Sequence, residues 1–196
     1  MLFRSHKMAD YMTVEIKSVA PLLMSNGDSA NPLHKMAIEK KKITAKRKKT
    51  EEDHLELLRL DWLSAIYFDE QNRPCLRADN INAMIVDGAK VEKCGKEAKA
   101  KVCCVDDTVP IQYNGPKDYQ QLWGDDRFVD VRCVRTNNAR VPRCRPIFRE
   151  WSCKFKLFIN DVDKASVQQW IKYAGERSGI GDFRPRFGRF EVVKIA

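Results

Sequence analysis

The stretch Trp151 to Ile159, WSCKFKLFI, carries the clearest secondary-structure signal in the chain. Its apolar residues recur at every second position and therefore share one face of a strand: Trp151, Cys153, Phe155, Leu157 and Ile159. This alternation predicts a β-strand with one buried face. The segments on either side of this strand decide the fold class.

A helix and a second strand are predicted downstream. Asp163 to Arg177 places Val167, Trp170, Ile171 and Ala174 on one helical face, and Phe187 to Ile195 is expected to form the closing strand. Between them lies Gly179 to Val193, GIGDFRPRFGRFEVV. We expect Gly179 to end the helix, and Gly181 and Gly188 to allow another backbone to approach closely.

The upstream half repeats the alternation of strand and helix. Thr13 to Ala20 predicts a first strand, and Lys101 to Tyr113 contains two short strands. Between them, Asp79 is predicted to cap a helix whose apolar face comprises Ile81, Met84, Ile85 and Ala89. The core therefore reads β-α-β-β-α-β. This is the α+β plan called ferredoxin-like, which RNA-recognition motifs share.

Two segments interrupt this core, at about residues 21–76 and 114–141. In the first, Thr50 to Asp53 is predicted to form a capping box that opens a helix with Leu55, Leu58, Trp62 and Ile66 on its apolar face. The second is polar and loop-like, with a short strand at Phe128 to Val134. We predict a loose tail over residues 1–11 and a single RRM-like domain over 12–196, with a helical basic insertion and a central insertion.

Composition favours a polyanionic partner. The 196 residues contain 36 Lys and Arg against 27 Asp and Glu, a formal net charge of +9. No apolar run approaches the ~20 residues of a membrane-spanning helix, and the first residues contain no secretory signal, so we expect no membrane partner. The seven cysteines include no C-x-x-C pair, which favours reduced, mostly buried thiols without zinc.

The strongest basic patch lies in Arg132 to Arg149, RCVRTNNARVPRCRPIFR. Its arginines are Arg132, Arg135, Arg140, Arg143, Arg145 and Arg149, and Pro142 and Pro146 keep it extended. Guanidinium forks bind phosphates bidentately, so the patch predicts a ribbon that follows a nucleic-acid backbone. A solvated basic edge strand is the alternative. A second run ends in Lys46, Arg47, Lys48 and Lys49 and reads equally well as an electrostatic arm or as a solvated helix face or loop.

The glycine-rich segment matches neither nucleotide-cofactor motif, because it precedes a strand and lacks G-K-[ST], so no cofactor is predicted. Its arginines, Arg184, Arg186 and Arg189, alternate roughly with Phe183, Phe187 and Phe190. We expect the arginines to contact phosphates, Phe183 to stack on a base and Phe190 to lie in the core. Trp123 is a second stacking candidate.

A glycine-rich segment between the last helix and the last strand of such a core resembles the RAMP superfamily of CRISPR proteins, particularly the backbone subunits that polymerise along guide RNA. PLLMSNG, residues 21–27, resembles the family's opening segment. The chain is shorter than most backbone subunits and looks like a small phage-encoded relative. The resemblance implies RNA rather than DNA, side-by-side packing of protomers and a prokaryotic cytoplasm. It also implies contacts on the sheet side, at a thumb-like central insertion and at Gly179, Gly181, Arg184, Arg186 and Gly188.

Catalytic signals are sparse. A metal-independent ribonuclease requires a base, and among His6, His34 and His54 the candidate is His34, which lies in a turn-rich loop. Asp125, Asp126 and Asp130 are close in sequence but form no recognised metal motif. We therefore favour a non-enzymatic, weakly sequence-specific single-strand-binding protein. The alternatives are a RAMP-type ribonuclease and a protein-interaction scaffold or inhibitor that acts on a host nucleoprotein complex.

Overall fold

The computed structural model describes residues 10–136 and 139–196 of the chain. These residues form two compact units. Unit 1 comprises the described residues of Met1–Leu22 together with Phe68–Asn114 and Arg149–Ala196, and unit 2 comprises Leu23–Tyr67 and Gly115–Phe148. The two segments of unit 2 overlap the interruptions expected at about 21–76 and 114–141, with different bounds. Whether the chain is a single domain stays a prediction.

Helices and antiparallel sheets make up both units. The strands are β1 (Asp10–Ser18), β2 (Leu22–Leu23), β3 (Cys75–Arg77), β4 (Val102–Cys104), β5 (Thr108–Gln112), β6 (Val129–Thr136), β7 (Ala139–Phe148), β8 (Ser152–Ile159) and β9 (Phe190–Ile195). The α-helices are α1 (Lys35–Thr44), α2 (Glu51–Ala65), α3 (Ala78–Ala89), α4 (Gly95–Lys101), α5 (Tyr119–Trp123) and α6 (Lys164–Tyr173). One turn of π-helix, Ala174–Ser178, extends α6.

Unit 1 is built on a six-stranded sheet in the order β3-β5-β8-β1-β9, in which β4 also pairs with β8. All of its strand pairs are antiparallel. The alternation predicted for β8 is confirmed, since Cys153, Phe155, Leu157 and Ile159 are all buried. The predicted apolar faces of α3 and α6 are buried as well. They supply the other half of the core of unit 1.

Three predicted boundaries in unit 1 are wrong. The closing strand β9 begins at Phe190 rather than at Phe187. Strand β1 runs from Asp10 to Ser18 rather than from Thr13 to Ala20, so Tyr11 lies in the strand and not in a tail. Asp10 lies in the strand as well, and residues 1–9 of the predicted tail lie outside the described residues. The N-cap residue of α3 is Arg77, and its backbone N–H donates to Oδ1 of Asn80, the third residue of the helix, at 3.0 Å. Asp79 was the predicted cap, but it lies within the first turn, where its side chain is beyond the capping position.

Unit 2 contains the helices α1, α2 and α5 and the three-stranded sheet β2-β7-β6, except for Leu22 of β2, which is the last residue of the first segment of unit 1. The predicted capping box is confirmed: Thr50 Oγ1 accepts the N–H of Asp53 at 3.3 Å, and Asp53 Oδ2 accepts the N–H of Thr50 at 3.1 Å. Trp62 is fully buried and its indole N–H donates to the carbonyl oxygen of Phe128 at 2.9 Å. Leu55, which was expected on the same apolar face, is 56% exposed.

The segment expected to be loop-like is more ordered than the sequence indicates. Residues 114–140 contain α5 and the whole of β6, and β6 pairs with β7 along its length. The sequence did not predict strand β7, because it contains Pro142 and Pro146. Proline lacks an N–H and is usually confined to edge strands or bulges. Here β7 lies between β2 and β6.

Candidate nucleic-acid interface

The β6–β7 hairpin places arginines directly opposite one another. Its register pairs Arg132 with Arg143 and Arg135 with Arg140. Like charges at directly opposed positions destabilise an antiparallel pair, whereas opposite charges stabilise it. A hairpin that carries two such pairs therefore has an arrangement that a polyanion would stabilise.

Two carboxylates partly compensate this charge. Asp130 accepts hydrogen bonds from Nε and Nη2 of Arg132, the latter at 2.8 Å, and this contact raises the pKa of Arg132. Asp61 of α2 lies 3.7 Å from Nη1 of Arg143 and 2.7 Å from Nζ of Lys40. Lys40 also donates to Ser64 Oγ at 2.7 Å. Asp61 therefore positions one lysine and one arginine at the same place.

An open groove of about 600 Å³ in unit 2 collects these cations. Its described lining includes Lys40, Lys41, Arg143 and Arg145, with Asp61 as the one carboxylate among the described residues that line it. Ser25, Asn26, Thr44 and Ser64 add polar groups to the lining, and small residues make up the rest of it. We call it the basic groove. A second pocket of about 400 Å³ shares Lys40, Thr44, Asp61 and Arg143 and is otherwise lined mainly by Leu57, Leu58, Val141 and Pro142.

The predicted lysine run is divided between a helix and a turn. Lys35–Thr44 forms α1, and the residues from 45 to 50 connect it to α2. Lys46 binds Asp53 at 2.6 Å, and this hydrogen bond lowers the pKa of the Asp53 carboxyl. Lys49 donates to the carbonyl oxygen of Lys46 at 3.0 Å, whereas Arg47 and Lys48 have exposed side chains.

In unit 1, the glycines of the predicted segment serve backbone geometry. Gly179, Gly181 and Gly188 have φ angles of +72°, +87° and +73°, in the region that favours glycine. A Cβ atom at Gly188 would clash with the carbonyl oxygen of Ile180, whose N–H donates to the Gly188 oxygen at 2.9 Å. The expected close approach of backbone at Gly188 is therefore confirmed.

The three arginines of this segment occupy different environments. Arg184 binds Asp87 at 2.8 Å and the carbonyl oxygen of Gly179 at 3.4 Å. Burial alone would raise the pKa of Asp87, but hydrogen bonds from Lys90 and Arg184 outweigh it and lower that pKa. The Arg186 guanidinium lies 5.6 Å from the ring centroid of Phe187. Arg189 is exposed.

The aromatic residues of the segment divide as predicted between core and surface. Phe190 is 3% exposed and its ring packs against Trp151 at a centroid distance of 6.5 Å, which confirms it as a core residue. Phe183 is 40% exposed and has a φ of +50°. Trp123, the second stacking candidate, packs edge-on against Trp62 at 6.0 Å.

The catalytic candidates are dispersed. His34 lies at the N-cap of α1, where its side chain makes no capping hydrogen bond. Asp125 pairs with Arg127 at 2.6 Å, and Asp130 pairs with Arg132. Within residues 10–136 and 139–196, no three Cys, His, Asp or Glu side chains are grouped so that they could hold a metal ion.

The structure brings some predicted residues together and leaves others apart. Arg143 and Arg145 line the basic groove, while Arg149 lies beyond the end of β7 in unit 1 and is exposed. Lys40, Lys41 and Asp61 also line the groove, although they were not among the predicted site residues. Helical spacing is a signal that could have indicated them. Lys40 and Thr44 are four residues apart on α1, and Asp61 and Ala65 are four apart on α2, so each pair lies on one face of its helix.

This chain is similar in fold to a protein of known structure. No protein-family model and no curated protein matches this chain. A chain in the cryo-EM structure of the Type III-B Cmr-beta bound to cognate target RNA superimposes with a TM-score of 0.53 and 13% sequence identity. The match covers 96% of this chain and 60% of the other, so this chain spans about three-fifths of the length of its structural neighbour. At this identity the likeness concerns the mixed α and β fold alone.

No helix among the described residues is both long and apolar enough to cross a lipid bilayer.

Proposed function

We propose that this protein binds single-stranded nucleic acid without cleaving it, and that the basic groove and the hairpin arginines of unit 2 hold the phosphates. One observation carries the proposal: the register of the β6–β7 hairpin sets Arg132 against Arg143 and Arg135 against Arg140. Isolated cations scattered over a surface serve solubility. Opposed arginines cost stability unless anions neutralise them, and Asp130 and Asp61 supply only part of that compensation, so phosphates would add to it.

The contacts available in the groove are those of a backbone-reading protein. Lys40, Lys41, Arg143 and Arg145 offer charge and N–H donors, which neutralise phosphates but do not distinguish one base from another. Binding is therefore expected to depend weakly on sequence and steeply on salt, because each neutralised phosphate releases condensed counterions.

The finer assignment of the fold belongs to the same proposal. Strand order β9-β1-β8-β5, with α3 and α6 as the two crossover helices, supports a ferredoxin-like core in unit 1. We propose that the chain is a distant relative of the RAMP superfamily, with unit 2 as the counterpart of the central insertion. In that case the strand is RNA rather than DNA, and protomers pack side by side along it in the cytoplasm of a prokaryotic cell or as a phage product.

The experiment is fluorescence anisotropy with labelled single-stranded RNA, single-stranded DNA and duplex DNA over a salt series. We expect binding to the single strands, with affinity that falls steeply as salt rises. The same samples are run on a denaturing gel, where an intact oligonucleotide agrees with binding without cleavage. Absence of binding even at low salt would overturn the proposal and favour a protein-interaction role instead. Shortened RNA that His34→Ala leaves intact would instead identify a ribonuclease.

Assembly along the strand is tested separately by titrating protein onto oligonucleotides of increasing length. Side-by-side packing predicts a stoichiometry that rises in steps with length and a mass that rises with it in light scattering. A constant ratio of one protein to one strand would contradict the assembly and leave the binding proposal intact.

A further inference from the structure

Among the described residues, the sheet of unit 1 has one buried face and one face of mostly exposed side chains. Along β1, Met12, Val14 and Ile16 are buried, while the residues between them point to the opposite face of the sheet. The register places Tyr11 directly opposite Phe158 of β8 on that opposite face. Tyr11 is 51% exposed, which is unusual for a side chain of this size in a central strand of a sheet.

The two rings form one aromatic surface. Their centroids are 5.8 Å apart and their planes meet at 64°, which is an edge-to-face arrangement. The ammonium of Lys156, two residues before Phe158 on β8, lies 4.3 Å from the centroid of the Tyr11 ring. A cation on the face of an exposed ring is held weakly, so a competing ligand can displace it.

The surroundings of the rings are basic. Described cations exposed on the same face include Lys17 of β1, Lys154 and Lys156 of β8, and Lys194 of β9, and the register sets Glu15 and Glu191 among them. A third carboxylate, Asp106, accepts the backbone N–H of Lys156 at 3.3 Å. Four lysines against these three carboxylates leave a small positive charge on this face. An anionic ligand that carries flat rings complements a positive face with exposed aromatic side chains, whereas a purely apolar surface would not match its charge.

We propose that Tyr11 and Phe158 form a base-stacking platform for single-stranded nucleic acid, with the lysines of the same face on the phosphates. A base that stacks on Tyr11 takes the place of the Lys156 ammonium, which is then available to pair with a phosphate. Stacking of this kind accepts any base, because every base has a π face. The inference rests on the proposed function, since it names a second contact surface for the same kind of strand.

The test separates ring stacking from charge by a pair of substitutions at one position. Tyr11→Phe keeps the ring, while Tyr11→Leu keeps apolar bulk and removes it; Tyr119→Leu, an exposed tyrosine of α5 in unit 2, is the control. The probe is fluorescein-labelled oligouridylate, titrated at several salt concentrations. We expect Tyr11→Leu to weaken binding about tenfold at every salt concentration, and Tyr11→Phe and Tyr119→Leu to bind like the wild type.

The salt dependence separates the loss of a stacking ring from the loss of a phosphate contact. Loss of a stacking ring lowers affinity without changing the slope of log K against log salt, whereas loss of a phosphate-binding cation makes that slope shallower. A shallower slope for Tyr11→Leu, or loss of binding in Tyr11→Phe as well, would overturn the platform.

Photo-crosslinking of the wild-type protein keeps the proposal falsifiable if Tyr11→Leu does not fold. RNA that contains 5-iodouracil is bound, irradiated and digested, and the crosslinked peptides are identified by mass spectrometry. We expect adducts on Tyr11 or Phe158. Binding by the wild type with adducts only on peptides of unit 2 would refute the platform while the proposed function stands. Absence of any binding by the wild type would refute the proposed function itself.

Discussion

At the scale of single residues, arginines with the same sequence rationale do different things. Arg143 faces Arg132 across the hairpin, lies 3.7 Å from Asp61 and lines the basic groove. Arg184 instead binds Asp87 at 2.8 Å, and its side chain is 34% exposed. Arg143 is therefore placed for a ligand, whereas Arg184 ties the glycine segment to α3.

Replacing the groove arginines tests this distinction. We expect the double variant Arg143→Ala, Arg145→Ala to weaken binding of all single strands alike and to make the salt slope shallower by about 1 for each lost phosphate contact. The measurement is anisotropy with three unrelated oligonucleotide sequences. Lys99→Ala, an exposed lysine of α4 in unit 1, is the control. Selective loss for one sequence would contradict backbone contact.

Gly188 is a second residue whose role is local. Its φ is +73° and a Cβ atom would meet the Ile180 carbonyl oxygen, so we expect Gly188→Ala to lower the free energy of unfolding by about 2 kcal/mol or more. Chemical denaturation measures the change. Gly124→Ala is the matched control, because that glycine has a φ of −74° and only ordinary contacts. Equal stability of the two variants would refute the constraint.

At the scale of elements, the turn before β3 shows how a buried carboxylate organises backbone. Asp69, whose side chain is 3% exposed, accepts N–H groups of Gln71 and Arg73 on Oδ1 at 2.9 and 2.8 Å, and Arg73 Nε on Oδ2 at 2.8 Å. Burial would raise the pKa of this carboxyl, but the hydrogen bonds outweigh burial and lower it below 3.8. The turn therefore holds Asp69 in its charged form.

The sign of this pKa change gives a pH-dependent prediction. A carboxyl with a lowered pKa in the folded state adds stability above its unfolded pKa and loses it as the pH falls through the folded value. We expect Asp69→Asn to cost about 2 kcal/mol at pH 7, with the difference from wild type shrinking below about pH 4. Urea denaturation at pH 7 and below pH 4 measures the difference in the free energy of unfolding. Asp107→Asn, an exposed aspartate, is the control, and a difference independent of pH would contradict the assignment.

The β6–β7 hairpin is the element in which sequence and structure differ most. The sequence indicates an extended arginine ribbon, but the opposition of Arg132 and Arg143 follows from the register, which local sequence does not show. Pairing partners are decided by which strand edges meet. The groove likewise depends on α1 and α2 packing beside β7, which no single segment encodes.

At the scale of the whole molecule, the seven cysteines report on packing. Burial raises the pKa of Cys75 and Cys104 to about 11 and that of Cys144 to about 12, and it raises the pKa of Cys153 as well. Cys103 and Cys133 are exposed, and Cys94 is partly exposed. A thiol reacts as the thiolate, so both access and pKa protect the buried four.

Thiol labelling at pH 8 therefore follows the fold. With a maleimide we expect Cys103 and Cys133 to react first, Cys94 more slowly, and the buried four only in denaturant. Mass spectrometry of a time course counts the adducts and locates them. Rapid labelling of Cys153 in the native protein would show that β8 is not packed as described. Cys103→Ser with Cys133→Ser supplies the control, since it removes the fast phase alone.

The sequence by itself determined the parts of this protein that depend on neighbours along the chain. Alternation in β8, the apolar faces of α3 and α6, the capping box at Thr50 and the close backbone approach at Gly188 are all local. They depend on side-chain period, on hydrogen bonds over three residues or on the space that one residue lacks. Each of these features can therefore be predicted from the local sequence alone.

Tertiary structure alone decided which charges meet and which aromatic residues remain exposed. Asp61 joins Lys40 and Arg143 although 21 and 82 residues separate them in sequence, and Tyr11 meets Phe158 from the opposite end of the chain. Loop closure and strand pairing bring such residues together, and the free energy for it comes from core burial elsewhere. The candidate interface is for that reason a property of the fold, assembled from residues whose local sequence shows only that they are basic or aromatic.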